Sequence, residues 1–334
     1  MGVRTGRWAC ALAATGLVLA ACGGGGAEPA TGGGEAGAAP EVLRLGLVPS
    51  AEVDQLVLDA EGLGDLLSTE LGIPVETFVT DSYAALVVAM QSGQADVGLF
   101  GPIALVQSVD QAGAVPILQS VRRDSPTYHT QWMTNNPDKY CSTPVVQAEN
   151  PEGNVFGYCN GTDTAETGPV GEEAIGTLVE GDTVMFVDEG SASGYYYPAT
   201  QIQTITGIDP LTGIDAQFAG GHPNSVLAVA RGDVEVGVSF DDAREEVLEE
   251  DPEIGDKVTV FAWSEEIPND GVAVRGDLPE EFRTQIADAM TAVIETPEGA
   301  EAFDAVYSIE GLVPADLSAL DVARQVAANF GEAE

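Results

Sequence analysis

The sequence predicts an α/β fold with a mostly parallel sheet, on three observations. Short, largely apolar runs at Val42–Val48, Ala95–Phe100 and Val234–Ser239 read as buried strands. Apolar residues at helical spacing separate such runs. The run Val184–Val187 passes through Asp188 and Glu189 into Gly190-Ser191-Ala192-Ser193-Gly194, a turn that opens a helix. Backbone N–H groups and hydroxyls of such a turn point at one spot, which suits a small oxyanion. In folds of alternating strands and helices, ligands sit at the carboxyl ends of the strands.

The elements follow in order. The first strand ends at Pro49-Ser50, and Val53, Leu56, Val57, Leu63, Leu66, Leu67 and Leu71 keep helical spacing despite Gly62 and Gly64. Pro74–Val79 is the second strand. Asp81 or Ser82 caps a helix in which Tyr83, Leu86, Val87 and Met90 share a face, and Ala95–Phe100 ends in the tight turn Phe100-Gly101-Pro102, where backbone can approach a ligand. After Ser120 the rhythm changes. Residues 122–168 are rich in Asn, Pro, Thr and Gly, which predicts a crossing strand near Thr127–Thr134 and then a long excursion. Alternation resumes with a strand at Thr183–Val187, helices at Tyr195–Thr206 and Asn224–Arg231, and a strand at Val234–Ser239. Strands near Val258–Trp263 and Val272–Arg275 precede helices at Pro279–Glu295, Pro297–Val306 and Leu317–Phe330.

The N-terminal region predicts export. Arg4 and Arg7 precede an apolar run from Ala9 to Ala21, shorter than the roughly 20 residues a membrane span needs. Residues 1–21 read as a signal peptide, and Leu19-Ala20-Ala21-Cys22 resembles the bacterial lipobox, in which Cys22 takes the lipid. An ordinary signal with an incidental cysteine is the alternative. Residues 22–40 lack large apolar side chains and read as a flexible tether, with a typical reach of roughly 25 Å. Cys10 leaves with the signal. Cys141 and Cys159 remain in an exported domain, where a disulfide is expected; their spacing does not suit a metal site.

Charge narrows the partners. Twelve basic residues face 54 acidic ones, for a net charge of −42, or −44 once Arg4 and Arg7 leave. Nucleic-acid binding is excluded on that balance. Anion affinity must therefore come from short-range N–H, O–H and helix-end donors, and so many acids with two lysines suggest a chain adapted to high salt. The run from Asp241 to Asp256 reads as a solvated helix face plus loop. No cofactor or metal is expected.

The segments Leu45-Gly46-Leu47-Val48-Pro49-Ser50, Leu71-Gly72-Ile73-Pro74-Val75, Asp81-Ser82-Tyr83-Ala84-Ala85, Ala95–Pro102, Ser191–Tyr195, Gly220-Gly221-His222 and Ser264-Glu265-Glu266-Ile267-Pro268, in this order, resemble the phosphonate, phosphite and phosphate substrate-binding proteins of ABC transporters. The resemblance covers roughly residues 42–310. It implies a type II periplasmic-binding-protein fold, in which two α/β lobes joined by two crossover strands close on a ligand in the cleft. The expected lobes are 42–123 plus 243–334, and 124–242. It also implies a monomeric, extracytoplasmic receptor, lipid-anchored to the outer face of the cell membrane, whose partners are a permease with its ATPase.

The resemblance assigns ligand contacts residue by residue. Relatives carry Ser-Thr-Ser-Gly where this chain has Ser191, Ala192, Ser193 and Gly194, so one hydroxyl is missing while its backbone N–H remains. Tyr83 and Tyr128 match tyrosines that face the ligand, and His222 matches a histidine lining the site, though Pro223 follows where relatives have Asp. Asp241, or its neighbour Asp242, is placed to accept from a P–OH group and so to reject an anion that lacks one. Plain capping by Ser191 or Ser193, core packing of Tyr83 and a structural His222 are the bland alternatives. Ser193, His222 and Asp241 also contain the residue types of a nucleophilic triad, but no GxSxG elbow accompanies them, so an enzyme is not expected. An adhesive or sensory lipoprotein of the same fold would look alike in sequence.

Overall fold

The computed structural model describes Gly2 and residues 39–330. The expected signal segment and the lipidation residue Cys22 lie outside them. Among the described residues no helix is long and apolar enough to cross a membrane.

The strands form two sheets. In the first, of six strands, Leu43–Leu47 pairs in parallel with Val75–Val79 on one side and Val97–Phe100 on the other. Gly271–Val274 then adds antiparallel to Val97–Phe100, followed by Val115–Val121 and Gly311–Pro314. The second sheet has seven strands, in the order Asp215–Phe218, Thr183–Phe186, Val236–Phe240, Thr130–Thr134, Thr259–Trp263, Val155–Tyr158 and Val146–Glu149. Both sheets are mixed, where a mostly parallel one was expected. Gly271–Val274 and Thr130–Thr134 each follow a crossing from the other sheet, and both run against their new neighbours.

Two crossings join the sheets, and they pair with each other: Tyr128 lies opposite Ile267, and Thr127 opposite Pro268. Asn269, almost fully buried, clamps them by donating to the Ser125 carbonyl at 2.7 Å and the Ser120 carbonyl at 3.3 Å.

The second crossing falls about twenty residues later than residue 243, where the sequence suggested it, because Thr259–Trp263 pairs within the second sheet. The acidic run before it is not simply a solvated face. Val247, Ile254 and Val258 are buried in the second sheet's core. Beneath them Arg244, fully buried, binds both oxygens of Asp242 at 2.9 and 2.6 Å and the carbonyls of Gly157 and Val258. Its guanidinium lies over the rings of Phe156 and Tyr158. A buried ion pair survives desolvation only with such extra hydrogen bonds.

Local signals explain the helices that frame the cleft. Ser82, rather than Asp81, caps the helix Tyr83–Gln91 by accepting from Ala85 N–H at 3.2 Å. Glu52 does the same for Val53–Leu71, which ends at Gly72 with φ 71°. The excursion folds as a hairpin, and Cys141 is bonded to Cys159 across 18 residues of sequence.

Candidate functional site

A small cavity of about 30 Å³ lies between the two sheets. On the scale by which one water molecule needs about 10–15 Å³, that suits an ion of a few heavy atoms. The halves touch around it: the His222 N–H donates to the Ser50 carbonyl at 3.0 Å.

Four helix N-termini meet at this cavity. Tyr83 and Gly101 come from the starts of Tyr83–Gln91 and Pro102–Ala112, beside the first sheet. Ser191 to Ser193 and His222 come from the starts of the helical stretch 192–206 and of His222–Arg231, beside the second. Each end presents the positive pole of its helix, so the site favours an anion despite the chain's net charge.

In the Gly-Ser turn, Ser191 Oγ caps the helix by accepting from Gly194 N–H at 3.0 Å, which leaves its O–H to donate elsewhere. Capping and ligand contact are therefore compatible. Ala192 and Ser193 line the cavity beside it. Gly194 does not; a Cβ there would collide with the Val187 side chain, and its carbonyl accepts from Val187 N–H at 3.0 Å. Its role is to seat the turn against its strand.

His222 is a neutral donor. Its Nδ1 lies 2.8 Å from Ser239 Oγ and accepts from Phe240 N–H at 3.3 Å. A backbone N–H can only donate, so the ring proton belongs on Nε2. Burial, then Arg122, lowers the histidine's pKa to about 3. The tyrosines are neutral too. Burial first, and the Asp270 carboxylate next, raise the pKa of Tyr83, of Tyr128 and of Tyr307. The hydroxyl of Tyr307 is committed to the Val48 carbonyl at 2.7 Å, while that of Tyr83 has no partner among the described residues.

Asp241 does not line this cavity. It faces a neighbouring, larger one of about 630 Å³, and its carbonyl is held by Arg123 at 2.8 Å. Asp242 is spent on Arg244. The carboxylates that reach the small cavity are Asp270 and, at its exposed rim, Glu246. Asp270 is fixed through its backbone, whose carbonyl accepts from Ser120 N–H at 2.9 Å and Ser120 Oγ at 3.1 Å, and its carboxylate has no hydrogen-bond partner among the described residues. Burial raises its pKa against the pull of Arg122. Ser193, His222 and Asp241 form no triad: the imidazole nitrogen a triad carboxylate would hold is occupied by Ser239 and Phe240, and Asp241 lies in the other cavity.

Asp270 and Arg122 are the site residues that sequence reasoning missed. Asp270 stands two residues past Ile267-Pro268, and Arg122 belongs to the sequence's single adjacent pair of basic residues, Arg122-Arg123.

Residues 45–320 match the profile of a family described as "ABC transporter, phosphonate, periplasmic substrate-binding protein". The chain belongs to this family. Curated relatives include the phosphate-import protein PhnD of Mycolicibacterium smegmatis, 28% identical over 239 residues, and the phosphonates-binding periplasmic protein of Escherichia coli, 24% identical over 233. Each alignment covers 70% of this chain, and they span 64% and 60% of those relatives. Among solved structures, a binding component of a Pseudomonas aeruginosa ABC phosphonate transporter superposes with a TM-score of 0.70 at 20% identity, covering 86% of this chain and 85% of the other. PhnD1 of Prochlorococcus marinus, in complex with methylphosphonate, gives 0.69 at 17%, covering 87% and 99%. The chain therefore has the two-lobed type II periplasmic-binding-protein fold.

Proposed function

We propose that this chain is the extracytoplasmic receptor of an ABC importer, that it captures a small phosphorus oxyanion by closing its lobes, and that it delivers the ion to a permease with its ATPase. The observation that carries the reading is the convergence of four helix N-termini on one small cavity whose walls come from both sheets. A ligand there has hydroxyls of Ser191, Ser193, Tyr83 and Tyr128 and the Nε2–H of His222 as uncharged donors. Asp270 takes the role expected of Asp241: it accepts from the P–OH of a monoprotonated ligand. Closure desolvates the ion between the halves, where each hydrogen bond to it gains strength. The family and the named relatives support the transport role, and the lipobox-like segment supports anchoring of a monomer to the outer face of the cell membrane through Cys22.

The test is calorimetric titration of the full-length chain with methylphosphonate, phosphite, phosphate, an aminoalkyl phosphonate and sulfate. Binding of at least one phosphorus ligand and rejection of sulfate are expected. No binding of any phosphorus ligand, or sulfate bound as tightly, would overturn the reading.

A further inference from the structure

Arg122 is the one positively charged side chain lining the small cavity, and it has no partner. Its neighbour Arg123 is fully engaged, with Glu152, with Glu245 at 2.8 Å and with the Asp241 carbonyl. Arg122, by contrast, makes no ion pair and no side-chain hydrogen bond among the described residues, in a chain where acids outnumber bases 54 to 12. It is not loose. Its guanidinium lies 4.9 Å from the centroid of the Phe240 ring and 6.0 Å from that of Tyr128, and Phe240 in turn packs against His222 at 4.7 Å. Stacking of this kind uses the face of the guanidinium and leaves the N–H donors in its plane free.

Resting on the proposed binding of a phosphorus oxyanion, we infer that Arg122 is the charge partner of that oxyanion. The neutral donors around the cavity supply hydrogen bonds but no formal charge, while Asp270 faces the ligand with a carboxylate. One guanidinium offsets that carboxylate, and its fork of donors matches two oxygens of a tetrahedral anion. Arg122 also lines the larger cavity, whose wall carries the carboxylates of Glu152, Glu166, Asp241, Asp242, Glu245, Glu246, Glu266, Asp304 and Glu310 against the guanidinium groups of Arg122 and Arg123. A substituent leaving the small cavity by that route passes the guanidinium.

The test compares the full-length wild type, Arg122→Gln and Arg122→Lys in titrations with methylphosphonate, phosphate and 2-aminoethylphosphonate, with thermal unfolding as the check on folding. The wild type should bind at least one of the three. Arg122→Gln should weaken each ligand that the wild type binds by about tenfold or more. Arg122→Lys should restore part of the affinity. A folded Arg122→Gln with unchanged affinity overturns the assignment while leaving the receptor reading intact. Failure of the wild type to bind any of the three overturns the assignment, and failure with phosphite as well overturns the receptor reading.

Discussion

Replacing Asp270 with Asn separates what this carboxylate does for binding from what it costs the fold. The change keeps the side chain's size and removes its charge. In the wild type a protonated phosphorus ligand donates its P–OH to the carboxylate, a charge-assisted bond of about 1.5–3 kcal/mol, or about 10- to 100-fold in affinity. Sulfate has no proton to give and meets repulsion, so the substitution should weaken phosphate, strengthen sulfate and compress their ratio. Stability should move the other way. Burial raises the folded pKa of Asp270, so the folded chain holds that proton more tightly than the unfolded one. The group's contribution is therefore present at pH below its ordinary carboxylate value and is lost as pH rises through the raised value, which leaves an ionised, unpartnered carboxylate destabilising the ligand-free protein at neutral pH. Asp270→Asn should raise neutral-pH stability by about 0.5–2 kcal/mol, with the gain fading towards about pH 4. Titration calorimetry with phosphate and sulfate, and thermal unfolding across pH, read the two effects. An unchanged phosphate-to-sulfate ratio would refute the reasoning, as would a variant less stable than the wild type at neutral pH.

Three further outcomes are expected. Ser193→Ala should weaken phosphorus-ligand binding by about 1.5–3 kcal/mol, the value of one hydrogen bond to a charged group; unchanged affinity in calorimetry would move the site elsewhere. His222, with its pKa lowered to about 3, should show no titration between about pH 5 and 8 by NMR. Because its folded pKa lies below the ordinary histidine value, the stability it contributes is complete above that value and is lost as pH falls through it, and His222→Gln should flatten this part of the acid unfolding curve. Finally, the net charge of −42 should make the melting temperature rise between low and molar salt, as screening relieves self-repulsion; a flat or falling trend counts against adaptation to high salt.

What the sequence revealed was local. The Ser191 to Gly194 turn is legible because capping and helix-end donors depend on residues within one turn, and Tyr83 is legible because it directly follows its cap. Asp270 is not, since its importance comes from Ser120 holding its backbone and from Tyr83 and Tyr307 gathering around it, all distant in sequence. Arg122 looks like the start of a loop until Phe240 is found beneath it. The second crossing was misplaced because acidic residues at 245–256 mask the apolar positions Val247 and Ile254. The strand Val115–Val121 was hidden by Pro116, which sits at a register shift against Ala273, where a missing N–H does little harm.

The two-pair ladder between the crossings gives Tyr128 a particular standing. It is both a rung opposite Ile267 and a wall of the cavity. When two bodies swing about a pivot, everything else on them travels, but a rung of the pivot stays put. In the proposed closure, Tyr128 is therefore the fixed post of the trap, and the serines, His222 and Tyr83 are what move to meet an ion held there.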